Sequence, residues 1–191
     1  VVTEPLHKWH THQMQNSLLG HFISAPRRWA FTMETYAMIN RVQDHTHYQA
    51  YDMPVIMERS VYSGHYCFAC NGFRQGFFTL KEWEIYMQYF YYLIPRYCKP
   101  PHGFIFLDVS PEVAYERINR RNRDQEEGIP LSYLQQLDEM HRLFLIEKER
   151  VLPELEDIPV LRLSVDTEFA SNLAQQEYMI DAVKAFMKHH G

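Results

Sequence analysis

Four arginines crowd into a short segment, Arg117, Arg120, Arg121 and Arg123, and are followed by Glu126, Glu127 and Gly128-Ile129-Pro130. Positions 117 and 121 share a helix face, so like charges stack there and repel unless something neutralises them. A polyphosphate would do so, because guanidinium groups grip phosphate oxygens bidentately. Asp124, Glu126 and Glu127 would also do so, and the run would then be a solvated surface. A second group, Glu58-Arg59-Ser60, follows the strand-like run Pro54 to Met57. In open parallel sheets ligands bind beyond the carboxyl ends of strands, where an acid and an arginine can meet a metal and a phosphate. Glu4-Pro5 follows the short run Val1-Val2, with Trp9 close behind. A carboxylate there is either a general base or a cap for the next helix. Two acids and several arginines at the same strand ends point to one shared site. Cys67 and Cys70 form a C-x-x-C, but they bracket Phe68 and Ala69 in a tyrosine-rich segment rather than opening an exposed helix. They read as buried structural thiols more readily than as a redox or metal pair.

These groups need elements to carry them. Apolar or β-branched runs at Val1 to Val2, Pro54 to Met57, Gly103 to Val109 and Pro159 to Val165 alternate with helix-like stretches. That alternation predicts an α/β fold with a parallel sheet flanked by helices. Phe104 to Leu107 is almost continuously apolar, which predicts a central strand covered on both faces. Helices are expected over Arg28 to Val42, Thr79 to Tyr97, Ser110 to about Arg121, Ser132 to Arg150 and Ala170 to His189. Thr79 with Glu82 suggests a capping box. Ser110-Pro111-Glu112 suggests an N-cap and a first-turn proline. Trp83, Tyr86, Met87, Phe90 and Leu93 follow helical spacing and form either core or a subunit interface.

The 191 residues are 46% hydrophobic and 23% charged, which predicts one folded domain and excludes a disordered chain or a coiled-coil rod. A net charge of −5 argues against holding a nucleic-acid polymer, and no apolar run reaches membrane-spanning length. Three cysteines are too few for a disulfide scaffold and fit a reducing compartment.

The same residues resemble the deoxyribonucleoside kinases, the family that includes deoxycytidine, deoxyguanosine and mitochondrial thymidine kinases. The likeness runs through Glu4-Pro5-Leu6-His7-Lys8-Trp9, Arg28-Trp29-Ala30-Phe31-Thr32, Glu58-Arg59-Ser60-Val61-Tyr62-Ser63, and Arg117-Ile118 through Arg121, Arg123, Glu126 and Gly128-Ile129-Pro130-Leu131. It implies a P-loop kinase-like fold and transfer of the γ-phosphoryl group of ATP to the 5′-hydroxyl of a deoxyribonucleoside. By the family pattern Glu4 takes the hydroxyl proton and Arg59 holds the reacting oxygen and phosphate. Glu58 helps to hold Mg²⁺ directly or through water, and Arg117, Arg121 and Arg123 close as a lid, about residues 117–130. Glu126 matches the acid that contacts the sugar 3′-hydroxyl, while Leu6, Trp9, Phe22, Met33 and Phe68 match positions lining the nucleoside pocket. The resemblance also implies a homodimer and a cytoplasmic or mitochondrial location.

Several positions depart from the pattern. No G-x-x-x-x-G-K-[ST] occurs, although the family carries this phosphate loop on a first strand before the Glu4 segment. The expectation is that further chain precedes Val1. The other reading is a non-catalytic relative that keeps the fold as a nucleoside-binding or assembly scaffold. Glu34 stands where most relatives place a glutamine whose amide both donates to and accepts from the base; an ionised carboxylate only accepts. With Arg41 on the same helix face, this predicts an amino-bearing base over thymine, or else a buried Glu34–Arg41 pair that reads nothing. Gly64 replaces an aspartate of the deoxycytidine and deoxyguanosine kinases. Ile23 falls where relatives use a tyrosine for the 3′-hydroxyl, unless Phe22 takes that place.

Overall fold

Helices carry most of the chain in a computed structural model that describes residues 1–2, 18–122 and 128–190. Two units separate between Lys99 and Pro100. In the first, α1 (Leu18–Ser24) runs into α2 (Pro26–Tyr48), whose first-turn proline has the φ that a helix start requires. The helix is longer at both ends than the apolar spacing suggested. Thr46 donates to the Val42 carbonyl and extends its last turns. Next comes α3 (61–74), a continuous rod of Val61–Ser63, a π-helical stretch Gly64–Ala69, and Cys70–Arg74. The last helix of the unit is α4 (Leu80–Tyr97). Its expected capping box is present: the Thr79 amide donates to Glu82 at 2.8 Å and the Glu82 amide to the Thr79 hydroxyl at 3.2 Å.

The aromatic stripe of α4 is core. Tyr86, Phe90 and Ile94 recur every fourth residue and are almost fully buried, together with Tyr62 and Cys67 of α3. His65 lies flat on Phe90 with ring centroids 3.7 Å apart. Burial pushes its imidazole down to about 3, so it is a neutral ring of the core. A parallel bridge, Val2 to Met57, holds the unit's extended segments together: Val2 donates to the Ile56 carbonyl and Glu58 to the Val2 carbonyl, both at 2.7 Å.

The second unit contains β1 (Phe104–Asp108), α5 (Pro111–Arg121), α6 (Leu131–Leu145), a short turn Pro153–Leu155, β2 (Val160–Ser164) and α7 (Leu173–His190). β1 and β2 pair in parallel, with Phe104 opposite Val160 and Asp108 opposite Ser164. Side chains alternate across β1. Phe104 meets Phe144 and Phe106 stacks on His141, both residues of α6, so α6 covers that face. Leu107 points to the opposite face and is 49% exposed, so within this unit β1 is covered less completely than its apolar run predicted. Helix α6 stops at Leu145 rather than Arg150. Beyond it Lys148 and Arg150 have φ near 54°, and the Lys148 ammonium donates to the Leu155 and Ile158 carbonyls. Ser110 occupies the N-cap of α5, but its hydroxyl makes no cap bond; its own amide donates to Asp166 at 2.6 Å. Among the described residues no helix is long and apolar enough to cross a membrane.

Gly103 lets α7 approach the start of β1, since a Cβ there would lie 2.5 Å from the Phe186 ring. Gly103→Ala is expected to lower stability by about 1–3 kcal/mol through overpacking. Urea unfolding measures it, and Phe186→Leu in the same chain should recover most of the loss.

Candidate functional site

The Val2–Met57 bridge ends where Glu58 and Arg59 begin, so both stand at the carboxyl end of an extended segment, as the sequence led one to expect. Arg59 has φ of 57°, a left-handed conformation that costs a non-glycine residue on the order of 1 kcal/mol. It is followed at once by a reciprocal cap: the Ser63 amide donates to the Ser60 hydroxyl and the Ser60 amide to the Ser63 hydroxyl, each at 3.1 Å. That cap starts α3 and fixes the turn from which Arg59 projects. The Arg59 guanidinium lies over the Phe68 ring, 4.7 Å from its centroid. Phe68 belongs to the π-helical stretch, whose wider turn alters where following side chains leave the rod.

Glu34 and Arg41 stand two turns apart on α2 and both are buried. Withdrawal from water raises the Glu34 carboxyl from 4.5 to about 7, while the positive charges of Arg41 and Arg59 pull it back only in part. Burial thus favours the protonated carboxyl, which donates as well as accepts, whereas the ionised form only accepts. Gly64 makes room for Arg41: a Cβ at Gly64 would lie 2.7 Å from the Arg41 Nη1. Any side chain there would press on the Arg41 guanidinium.

Met33 and Ala37, on the next stripe of α2, pack against Leu18, Leu19 and Phe22 of α1. Phe22 also meets Phe77 edge to face. Ile23 is 37% exposed, so Phe22 rather than Ile23 is the α1 residue that packs inward. The first unit thus joins Phe22 to Met33, Glu34 to Arg41 and Arg59, and Arg59 to Phe68. Glu4, Leu6 and Trp9 lie outside the described residues.

Of the C-x-x-C pair, expected to be buried, Cys67 is buried and Cys70 half-buried. Burial pushes the Cys70 thiol up to about 12 and Cys67 higher still, and both are free thiols.

In the second unit, Arg117 and Arg121 lie on the last turns of α5, and Asn122 closes the helix in a left-handed conformation. The Arg117 Nη2 donates to the Asp166 and Thr167 carbonyls at 3.2 and 3.1 Å, and its guanidinium lies near the Phe169 ring. Arg120 pairs with Glu168 at 3.1 Å. Some of the repulsion in the run is therefore relieved by the segment after β2. Nothing local in the sequence signals that Asp166, Glu168 and Phe169, some fifty positions on, serve these arginines. Arg123 and Glu126 lie outside the described residues.

Glu58 is exposed, and no cluster of three metal-ligating side chains occurs among the described residues. A single exposed carboxylate such as Glu58 is a ligand that Mg²⁺ would take only together with waters and phosphate oxygens.

The family model for deoxynucleoside kinase matches residues 1–188. Deoxycytidine kinase 2 of Gallus gallus is 34% identical across 98% of this chain and 80% of its own length. The mitochondrial deoxyguanosine kinase of Xenopus laevis is 31% identical across 97% of this chain and 78% of its own. Deoxycytidine kinase of Homo sapiens is 31% identical across 85% of this chain and 65% of its own.

The raised carboxyl of Glu34 makes stability depend on pH. An acid whose folded-state value lies above its ordinary one contributes stability that is complete below the ordinary value and lost as pH rises through the folded value. The protein should therefore lose on the order of 3 kcal/mol relative to Glu34→Gln as pH rises from about 4.5 to about 7. Urea unfolding of both proteins across that range measures the difference; parallel profiles would contradict it.

Proposed function

Because the chain belongs to the deoxynucleoside kinase family, we propose that it transfers the γ-phosphoryl group of ATP to the 5′-hydroxyl of a deoxyribonucleoside, giving the monophosphate. The observation that carries this reading is the turn at Glu58-Arg59: an acid and an arginine at the end of an extended segment, with the arginine held over Phe68 and electrostatically coupled to buried Glu34.

Phosphoryl transfer asks a protein chiefly for in-line positioning and for neutralisation of charge spread over the moving group. In this proposal Glu4 accepts the proton of the 5′-hydroxyl as that oxygen attacks phosphorus and the bond to the leaving nucleoside diphosphate breaks. Arg59 orients the attacking oxygen and a phosphate oxygen. Glu58 would hold Mg²⁺ directly or through water, and the ion, when bound, neutralises triphosphate charge. Arg117, Arg121 and Arg123 supply further positive charge. Arg117 can do so while tied to the Asp166 and Thr167 carbonyls, since Nη2 is only one of its donor atoms. Leu6, Trp9, Phe22, Met33 and Phe68 offer apolar and aromatic surface to the nucleoside, and Glu126 accepts from its 3′-hydroxyl. Homodimer formation through α4 is part of the proposal; its outer side presents Tyr89, Tyr91 and Tyr92, each about half exposed.

Turnover of the full-length chain with ATP, Mg²⁺ and each of the four deoxynucleosides tests this reading. Arg59→Ala and Glu4→Ala should each lower kcat by at least about a hundredfold. Unchanged turnover in both variants, or none with the unaltered protein, would refute it.

A further inference from the structure

Helix α5 starts without a cap of its own. The Ser110 hydroxyl makes no cap bond, and the Ser110 amide donates instead to Asp166 Oδ1 at 2.6 Å, on a residue 56 positions further along the chain. Asp166 meets the same helix a second time. Its backbone carbonyl and that of Thr167 accept from Arg117 Nη2 at 3.2 and 3.1 Å. One residue thus touches α5 at its N-cap and again about two turns later. Helical side chains lean back toward the N-terminus, so the long Arg117 side chain reaches toward the end of the helix that Asp166 already holds.

The seat that receives this guanidinium is itself tied down. The Val165 amide donates to the Asp108 carbonyl at 2.8 Å, which carries the pairing of β1 and β2 one step past their ends. Arg162 Nε donates to the Asp108 carboxylate at 2.6 Å. Past Asp166, the Glu168 carboxylate accepts from the Ala170 amide at 2.9 Å and from Arg120 at 3.1 Å, and the Phe169 ring centroid lies 5.6 Å from the Arg117 guanidinium carbon. Two carbonyls on Nη2 orient the guanidinium plane, while Nη1 and Nε stay outside these two bonds. Asp166 joins the seat to the start of α5, and Arg117 is the side chain that rests in it.

Resting on the kinase reading above, we propose that Asp166 is a positioning residue for the triphosphate: its carboxylate on the Ser110 amide holds in place the carbonyls that aim Arg117, and it acts on phosphate binding by way of Arg117. An acid that only steadies the fold would have the same effect whichever residue stood at position 117. An acid that aims Arg117 loses its effect on ATP once that guanidinium is gone. An oxygen rather than a charge makes the contact with Ser110, so asparagine can stand in for it.

The test is a double-mutant cycle in the full-length chain, read as the Kd for ATP with Mg²⁺ by isothermal titration calorimetry. Asp166→Ala should weaken binding about fivefold, the scale of one lost hydrogen bond, and Asp166→Asn should stay within about twofold of the unaltered protein. In an Arg117→Ala chain, adding Asp166→Ala should change the Kd by less than about twofold. In turnover, Asp166→Ala should raise KM for ATP by the same factor and leave KM for the deoxynucleoside unchanged. An unchanged Kd in Asp166→Ala, an equal loss with and without Arg117, or an Asp166→Ala chain that does not fold by urea titration overturns the inference and leaves the kinase reading standing. No product from the unaltered protein with any deoxynucleoside overturns the kinase reading, while the ATP cycle still decides the role of Asp166. No binding of ATP by the unaltered protein overturns both.

Discussion

A carboxylic acid taken out of water within electrostatic reach of two guanidinium groups is the constraint around which the first unit is arranged. Burial alone disfavours the ionised form of Glu34, and the charges of Arg41 and Arg59 offset only part of that cost. Three separate pieces of chain must meet for this to happen. The α2 helix presents Glu34 and Arg41 two turns apart. The Val2–Met57 bridge delivers Arg59 in a left-handed conformation, and α3 supplies both Phe68 beneath Arg59 and the space at Gly64 that Arg41 enters. The buried aromatic core of Tyr62, Tyr86 and Phe90 packs these pieces together.

The second unit solves a different electrostatic problem. Arginines stacked on one helix face repel, and part of that repulsion is relieved from within the fold: Arg117 donates to two backbone carbonyls and Arg120 meets Glu168. The Arg120 pair is exposed and worth little by itself. Arg117 is better held, and its bonds tie the last turns of α5 to the segment following β2. A guanidinium anchored on one edge keeps its remaining donors in a defined direction, which is what a phosphate-binding segment requires.

Features set by neighbours in sequence were legible in advance. Thr79 and Glu82 cap α4 because both partners lie within one turn. Phe104 to Leu107 reads as a strand because its apolar and aromatic run is bounded by Pro101 and Gly103 on one side and Pro111 on the other. The Glu58-Arg59 turn was legible because an acid and a base follow a short apolar run. Features set by distant contacts were not. The early end of α6 depends on Lys148 reaching the carbonyls of Leu155 and Ile158, and the cap of α5 on Asp166. The π-helical turn at Gly64–Ala69 leaves no periodicity to read, since one widened turn is not a repeat. Most consequential was the protonation of Glu34. Residue type gives a carboxylate, and only the completed packing of α2, α3 and α4 shows how little water remains around it.

The central claim is therefore about one proton, and a direct observation of it is carbon-13 NMR of glutamate side-chain carboxyls in the full-length protein, with Glu34→Gln used to assign the signal. The account predicts a Glu34 midpoint near 7 in the free protein. A Glu34 signal that titrates near 4.5 would contradict it.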